Sequence, residues 1–158
     1  MKKFELTSEF ITNIFGTKLF RIKALIEFGN VKAGELGGFV EKEENLSQDG
    51  NAWVYDSARV YDNARVYGDA CVCGDARVCG DACVYGDAGY ATVHGFGSEY
   101  RTTTFFKTKA GDIGVKCGCF YGNLSEFRKK VVETHGETKK AKEYLMLADL
   151  MEFRLTHK

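Results

Sequence analysis

The chain has 158 residues, and its 22 Lys and Arg residues balance 22 Asp and Glu residues, so the formal net charge is zero. Hydrophobic residues make up 44% of the chain and aromatic residues 13%, a composition that forms a packed core and excludes a disordered tail. No apolar run approaches the roughly 18 residues of a membrane span, and the charged start of the chain lacks the pattern of a signal peptide. We therefore expect a cytoplasmic protein, not bound to a membrane, whose cysteines stay reduced.

The first segment, residues 1–35, is predicted to be an N-terminal β cap. Residues 18–32 alternate apolar and polar side chains in part, which favours a strand or a hairpin. The run Gly34–Gly38 follows as a turn. A cap of this kind covers the open strand edge of the repeat that comes next.

A six-residue repeat occupies residues 50–91, inside a predicted solenoid at residues 36–97. Alanine returns at every sixth position from Ala52, and valine returns at every sixth position from Val54. A helix with about 3.6 residues per turn would spread this period around its whole surface, so the repeat excludes an amphipathic helix. Short strands separated by Gly, Asp or Asn turns fit the period, and such units bury their apolar side only by stacking on one another.

The repeat resembles the hexapeptide repeat of left-handed parallel β-helices, in which three hexads form one coil of about eighteen residues. The resemblance implies that valine and alanine face inward and that Gly-Asp or Asp-Asn pairs form the corners. Phe39-Val40 and Leu46 are expected to begin an earlier coil, with two inserted residues before Val54. The predicted fold class is therefore mainly β, with a short left-handed parallel β-helix between the N-terminal β cap and a C-terminal ββαα module.

The C-terminal module is predicted at residues 98–158. Two β-rich runs, Thr102–Thr108 and Ile113–Phe120, flank a turn signal and predict a hairpin. A first helix is expected to begin at Asn123 or Ser125 and to stop at Gly136, and a second helix is expected over residues 138–154.

Charge is unevenly distributed along the chain. Residues 1–35 carry six basic and four acidic residues, residues 36–98 four and ten, and residues 99–158 twelve and eight, which gives about +2, −6 and +4. Most acidic residues of the middle segment are corner aspartates, which are expected to accept hydrogen bonds from nearby backbone amides. The acidic coil disfavours nonspecific binding of duplex nucleic acid.

The eighteen-residue coil predicts which outward side chains stack. It places Arg59 beneath Arg77, Arg65 beneath Cys83, and Tyr67 beneath Tyr85. Like charges about 4.8 Å apart repel each other unless an anion lies between or over them, so Arg59, Arg65 and Arg77 are candidates for an anionic ligand site. The simpler interpretation, in which these arginines extend into water and pair with corner aspartates, remains open.

The outward aromatic residues predict an assembly. Exposed together, they would form an apolar patch larger than a monomer leaves in water, so we expect a homo-oligomer, a dimer or a trimer. The predicted interface residues are Trp53, Tyr55, Tyr61, Tyr67 and Tyr85.

Neither a metal nor a cofactor is predicted. Cys71 and Cys73, like Cys117 and Cys119, have one residue between them, which on a strand leaves them about 7 Å apart and too far to chelate zinc easily. No catalytic residue is assigned in the favoured interpretation. His94 lies near the coils and is the candidate general base if the chain, like hexapeptide acyltransferases, transfers an acyl group.

A second resemblance covers nearly the whole chain. The segments Leu36–Val40, Thr102–Phe106 and Cys117–Phe120 resemble short hexapeptide-repeat proteins of phages and prophages. This implies a non-enzymatic accessory protein, an anti-CRISPR-like inhibitor that binds a host defence protein or nucleoprotein. The predicted partner-binding residues are Lys129, Lys130, Lys139, Lys140 and Lys142. The alternatives are a nucleotide-signal sponge, with an anionic ligand between subunits, and the acyltransferase that uses His94.

Overall fold

The computed structural model describes residues 2–13, 15–85, 89–96, 101–117 and 120–156. The fold is mainly β, with two helices at the C-terminal end. The strands are β1 (Phe4–Thr12), β2 (Lys18–Ala24), β3 (Leu36–Val40), β4 (Trp53–Val54), β5 (Arg59–Val60), β6 (Arg65–Tyr67), β7 (Cys71–Val72), β8 (Arg77–Val78), β9 (Cys83–Tyr85), β10 (Tyr90–Phe96), β11 (Arg101–Lys107), β12 (Ile113–Cys117) and β13 (Phe120–Asn123), and the helices are α1 (Leu124–His135) and α2 (Lys139–Thr156).

The repeat forms a β-solenoid in which short strands pair in parallel with strands of the next turn. Strand β5 pairs with β8, β4 with β7 and β6 with β9. Val60 is in register with Val78, so one turn takes 78 − 60 = 18 residues. The first turn is longer, because Val40 is in register with Val60, 20 positions on. The predicted coil length, the stacked pairs and the two inserted residues are thereby confirmed.

The solenoid interior is filled by the two small or β-branched residues of each hexad. From position 52 to position 84, every alanine and valine of the repeat is at most 1% exposed. A valine in each short strand points inward, and the alanine two residues before it lies in the tighter space beside the corner. The regular spacing of these two residue types therefore builds one continuous core.

The corners of the solenoid require a left-handed backbone at one position in each hexad. Asp56 and Asp62 have φ of 56° and 58°, and Gly68 and Gly74, at the equivalent position, have 67° and 64°. Only Gly, Asn and Asp adopt this conformation readily, which explains why the repeat admits those residue types alone.

Corner carboxylates also join successive turns. Oδ2 of Asp56 accepts a hydrogen bond from the backbone amide of Gly74 at 3.3 Å, and Oδ2 of Asp62 accepts one from Gly80 at 3.1 Å. Buried Asn45 plays a similar part in the first turn, where its amide donates to the carbonyls of Asp62 and Ala64. For Asp56 and Asp62, the predicted capping role is confirmed.

The N-terminal hairpin extends one side of the solenoid. Strands β1 and β2 pair in antiparallel fashion, β2 pairs with β3, and the resulting five-stranded sheet has the order β1-β2-β3-β5-β8. The buried Lys3 ammonium donates to the carbonyl of Ala52 at 2.7 Å and lies 4.8 Å from the ring centroid of Phe28. The hairpin thus covers the first turn, as the alternating pattern of residues 18–32 indicates.

The C-terminal part contains four strands where the sequence predicts two. Strands β10, β11, β12 and β13 form an antiparallel sheet in that order. Tyr90 stands where a seventh valine would lie, yet it pairs with Phe106 of β11 instead of stacking in parallel on Val72. Its hydroxyl donates to the carbonyl of Cys71 at 2.6 Å, so a tyrosine at this position turns the chain out of the repeat. The ββαα prediction is therefore corrected to ββββαα.

Both helices lie against one face of this sheet. Asn123 caps α1 by accepting from the amide of Glu126 at 2.8 Å, and Gly136 follows its last residue, as predicted. Phe105 and Val115 join Phe127 of α1 and Tyr144 of α2 in a second core, while Phe106 points to the solenoid core. Neither described helix is long and apolar enough to cross a membrane.

Replacement of Gly74 tests the corner geometry. A Cβ at Gly74 would meet no atom within 4 Å, so its φ of 64° is the only obstacle to a side chain. Gly74→Ala is expected to lower the free energy of unfolding by about 1–2 kcal/mol, whereas Gly74→Asn, which tolerates this conformation, costs less. Chemical denaturation of both variants measures the difference. Equal losses would contradict a left-handed backbone at this corner.

Lys3 makes stability depend on pH. Burial lowers the pKa of Lys3 from 10.5 to about 8. Between these two pH values the unfolded chain binds more protons at Lys3 than the folded protein, so its contribution to the free energy of unfolding rises with pH. Urea denaturation from pH 7.5 to 10 is expected to show wild type gaining stability relative to Lys3→Met, in which this titration is absent. A constant difference across the range would show that Lys3 is solvated when folded.

Candidate anion-binding surface

A row of cationic side chains lies on the outer face of the five-stranded sheet. Arg21 of β2 is in register with Phe39 of β3, Phe39 with Arg59 of β5, and Arg59 with Arg77 of β8. We call these four residues the arginine ladder. Adjacent members stand about 4.8 Å apart, because they occupy neighbouring strands at the same register.

Arg21, at one end of the ladder, is held in place by its own contacts. Arg21 donates from Nε to the Glu9 carboxylate and from Nη1 to the carbonyl of Gly37 at 2.7 Å. Its guanidinium carbon lies 4.5 Å from the ring centroid of Phe39, a cation–π distance. Arg21 is therefore both charge-paired and ordered.

The other end of the ladder, Arg59 and Arg77, carries two positive charges that form no ion pair among the described residues. No carboxylate in the described part of the chain lies within ion-pair distance of either arginine, and both are half-buried. Burial, and then the charge of Arg77, lower the pKa of Arg59, while the Asp75 carboxylate, beyond ion-pair distance, opposes this shift. The backbone amide of Arg77 donates to Oγ1 of Thr104 at 3.0 Å, which fixes the end of the row against the C-terminal sheet. An anion placed over this pair would relieve its repulsion.

The corner after the ladder contains a buried thiol. Cys79 is 2% exposed and Tyr61 is 6% exposed, so the prediction that Tyr61 lies in an exposed interface is wrong. Burial raises the pKa of Cys79 to about 11, which keeps it a neutral thiol and excludes a reactive thiolate near pH 7. Lys116 of β12 acts electrostatically on this thiol, but it is only 4% exposed and adds no cation to the outer face of the ladder.

Arg65 lies apart from the other two predicted arginines. It is on the β6–β9 sheet, in register with Cys83, whereas Arg59 and Arg77 are on the five-stranded sheet. It borders an open groove of about 1200 Å³. The groove is lined by Lys2, Lys42, Glu43, Glu44, Leu46, Ser47, Gln48, Asn63, Ala64, Arg65, Val66, Tyr67, Asp81, Cys83 and Lys109. Because both acidic and basic side chains line this groove, we expect it to have no strong preference for an anion.

The predicted aromatic interface is largely absent from the surface. Trp53 is fully buried, with the rings of Phe4 and Phe28 at centroid distances of 6.2 and 5.3 Å, because the N-terminal hairpin covers it. Tyr55 is partly buried and packs against the solenoid core.

Two tyrosines of that set remain exposed. Tyr67 and Tyr85 are 37% and 67% exposed, and their ring centroids are 5.0 Å apart. With Trp53 and Tyr61 inside the protein, the predicted five-residue interface is wrong for those two members. The apolar patch is reduced to one pair of rings tilted by 51° to each other, which on its own does not require an oligomer.

His94 is exposed on the edge strand β10. Its Nδ1 lies 2.9 Å from Oγ1 of Thr102 on the neighbouring strand, a contact that orients the imidazole. His94 is not among the residues that line the groove around Arg65. The exposed imidazole is accessible to a bound substrate as a proton acceptor, but it lies on an open surface and not in a cleft.

The remaining predicted site residues are dispersed. The helix lysines at positions 129, 130, 139, 140 and 142 are all exposed. No disulfide joins two of the described cysteines, and no cluster of three or more His, Cys, Asp or Glu side chains suited to a metal occurs within the described residues. Cys119 lies outside them.

Sequence reasoning did not find Arg21. It lies in an antiparallel strand without the six-residue period, so no spacing relates it to Arg59 or Arg77. The alternation of residues 18–24 places Arg21 on a strand face, but its neighbour across the sheet depends on how the hairpin docks.

Comparison with known proteins relates the chain to a bacterial β-solenoid. A family described as "YdcK Beta solenoid repeat" matches residues 58–74. The protein named "Uncharacterized acetyltransferase YdcK" of Escherichia coli (strain K12) is 40% identical over 63 residues, which covers 35% of this chain and 19% of that protein. The chain thus spans about a fifth of this relative's length. Neither match concerns phages or defence inhibition, so that prediction stays a prediction. The chain thus resembles a β-solenoid repeat family over residues 58–74 and, over 63 residues, a protein named as an acetyltransferase.

Proposed function

We propose that this protein is a binding protein whose solenoid, with the left-handed twist of hexapeptide β-helices, holds a phosphate-bearing ligand on the arginine ladder. The observation that carries the proposal is the stacked pair Arg59 and Arg77, which lacks an ion-paired carboxylate in the described residues. Two guanidinium groups that stand one strand spacing apart repel each other in the folded protein. A bound anion would remove this repulsion.

The chemistry of the ladder favours phosphate over a single carboxylate. Guanidinium groups present planar, forked donors that match phosphate oxygens, and two of them in register can hold neighbouring phosphates of one ligand. Arg21, which is already paired with Glu9, supplies less charge to a ligand than Arg59 and Arg77 do. Phe39 is only 6% exposed, so it supports the arginines and offers no stacking surface for a base. The ligand class is therefore defined by its phosphates, as in nucleoside polyphosphates.

The two unpaired arginines are expected to account for most of the affinity. The Arg59→Ala/Arg77→Ala double variant removes two charge-assisted contacts, each contributing about 1.5–3 kcal/mol, and should weaken binding by a factor of about 100 or more. Isothermal titration with ATP, pyrophosphate and a panel of cyclic nucleotides measures the loss.

Arg65→Ala is the matched control, because it removes the same side chain from a different sheet of the same solenoid. It should leave the affinity unchanged. If wild type binds none of these ligands, or if Arg65→Ala weakens binding as much as the double variant, the ladder is not the site.

Acyl transfer is a second candidate, supported by the similarity to YdcK. In this proposal a phosphate-bearing acyl carrier such as acyl-coenzyme A occupies the solenoid surface, and His94 takes a proton from the acceptor. The contact between His94 and Thr102 leaves Nε2 as the nitrogen available to the substrate.

His94→Ala separates the two candidates. A transferase should lose roughly 100-fold or more in turnover while keeping its affinity for the carrier, since general base catalysis contributes about 10²–10⁴-fold. Thiol release from acetyl-coenzyme A, assayed with amine and hydroxyl acceptors, supplies the readout. Thr102→Val, which removes only the orienting hydroxyl, should reduce turnover less. Equal rates for wild type and His94→Ala would leave binding as the function.

A protein-binding inhibitor of host defence is supported only by the exposed helix lysines, which long-range steering toward an acidic partner would use. Lys139, Lys140 and Lys142 lie at the start of α2, away from the ladder on β5 and β8. Reversal of these lysines to Glu would weaken such an inhibitor and leave phosphate binding by the ladder intact.

A further inference from the structure

Helix α2 carries apolar side chains on two faces. One face, which includes Ala148 and Met151, is buried against α1 and the sheet. On the other side Met146, Leu150 and Phe153 are 70%, 54% and 63% exposed. Their spacing of four and three residues puts them on one stripe, which we call the outer stripe of α2.

The outer stripe is directed away from the protein core. Successive helical residues are rotated by about 100°, which places Met146, Leu150 and Phe153 roughly opposite Ala148 and Leu155. Ala148 and Leu155 are 0% and 2% exposed, so the stripe points outward. Three long apolar side chains in a row on a surface helix favour contact with another protein surface.

The charges beside the stripe are arranged for pairing with a copy of the same helix. On the side facing α1, Asp149 and Glu152 are already bound by Arg128, at 2.9 and 2.7 Å. On the other side stand Glu143 and Arg154, which form no ion pair within the described residues. Their midpoint in sequence, (143 + 154)/2 = 148.5, nearly coincides with that of Met146 and Leu150, (146 + 150)/2 = 148.

We propose that α2 forms an antiparallel two-fold interface with α2 of a second copy of this chain. A two-fold axis that crosses the outer stripe at the level of residue 148 places Met146 on the partner's Leu150. It brings Glu143 to the partner's Arg154, and by symmetry Arg154 to the partner's Glu143. Because the axis repeats each contact, one apolar stripe and one unpaired acid–base couple make a self-complementary surface.

A cleft next to the stripe extends this surface toward the solenoid. It has a volume of about 580 Å³ and is lined by Cys71, Cys73, Tyr90, Ala91, Thr92, Leu150, Met151 and Arg154. An eighteen-residue helix is about 27 Å long, so one pair of such helices forms a narrow contact. Small interfaces are typical of weak, transient complexes, so we expect a dimer that forms at micromolar concentrations.

Sedimentation equilibrium of the whole chain between roughly 1 and 300 µM tests the proposal. Wild type is expected to show a monomer–dimer equilibrium, and Leu150→Glu should abolish it. Val132→Glu is the matched control, because Val132 is 53% exposed and lies on α1, outside the stripe. A wild-type monomer throughout, a higher oligomer, or a dimer that tolerates Leu150→Glu would overturn the proposal.

A charge exchange tests the register. Glu143→Arg and Arg154→Glu each place like charges together twice per dimer, so each is expected to raise the dissociation constant about three- to tenfold. The Glu143→Arg/Arg154→Glu double variant restores opposite charges and should recover the wild-type value. If the two single effects simply combine in the double variant, so that its dissociation constant is higher than that of either single variant, the antiparallel arrangement is overturned.

Discussion

Parallel hydrogen bonding between successive turns stacks each residue of the repeat on its counterpart eighteen positions later. Val60 lies on Val78 and Val66 on Val84, and the interior becomes a column of identical side chains. The same pairing also stacks the outward side chains, whether two neighbouring side chains attract or repel each other. Arg59 is placed on Arg77 because the backbone requires it, and the surface must then accommodate the repulsion. The stacked arginines of the ladder are thus a consequence of the solenoid, and an anion is the ligand that we propose for them.

A solenoid also has two ends whose strand edges and core residues need covering. The N-terminal hairpin continues the sheet beyond β3 and buries Trp53, and it does so with an edge strand whose pairing is interrupted between Leu6 and Phe10. Such an irregularity discourages further strands from adding to the edge. At the other end the antiparallel sheet turns Phe106 into the solenoid core and Phe105 into the helical core, so one strand joins the two.

The two proposed surfaces lie on different parts of the chain and depend on different interactions. The ladder is a rigid row of charges held by backbone register, suited to a small anionic ligand. The outer stripe of α2 is apolar with one charged couple, suited to a protein surface. The similarity to a named acetyltransferase covers 19% of that protein, so most of its length has no counterpart here. Function therefore depends on the side chains that this solenoid displays.

The sequence by itself determined the architecture of the repeat, because a strict six-residue period admits few structures. Coil length, the inserted residues of the first turn, the stacked arginines and the caps of α1 all followed from spacing and from local residue preferences. Only the tertiary structure decided which outward residues remain outside. Trp53 occupies an outward position of the repeat, yet it is buried against Phe4 and Phe28, which the period does not describe. For the same reason only the structure shows that Arg21 joins Arg59 and Arg77: periodicity fixes neighbours within a sheet, and the docking of nonrepeating segments depends on side-chain packing between distant parts of the chain.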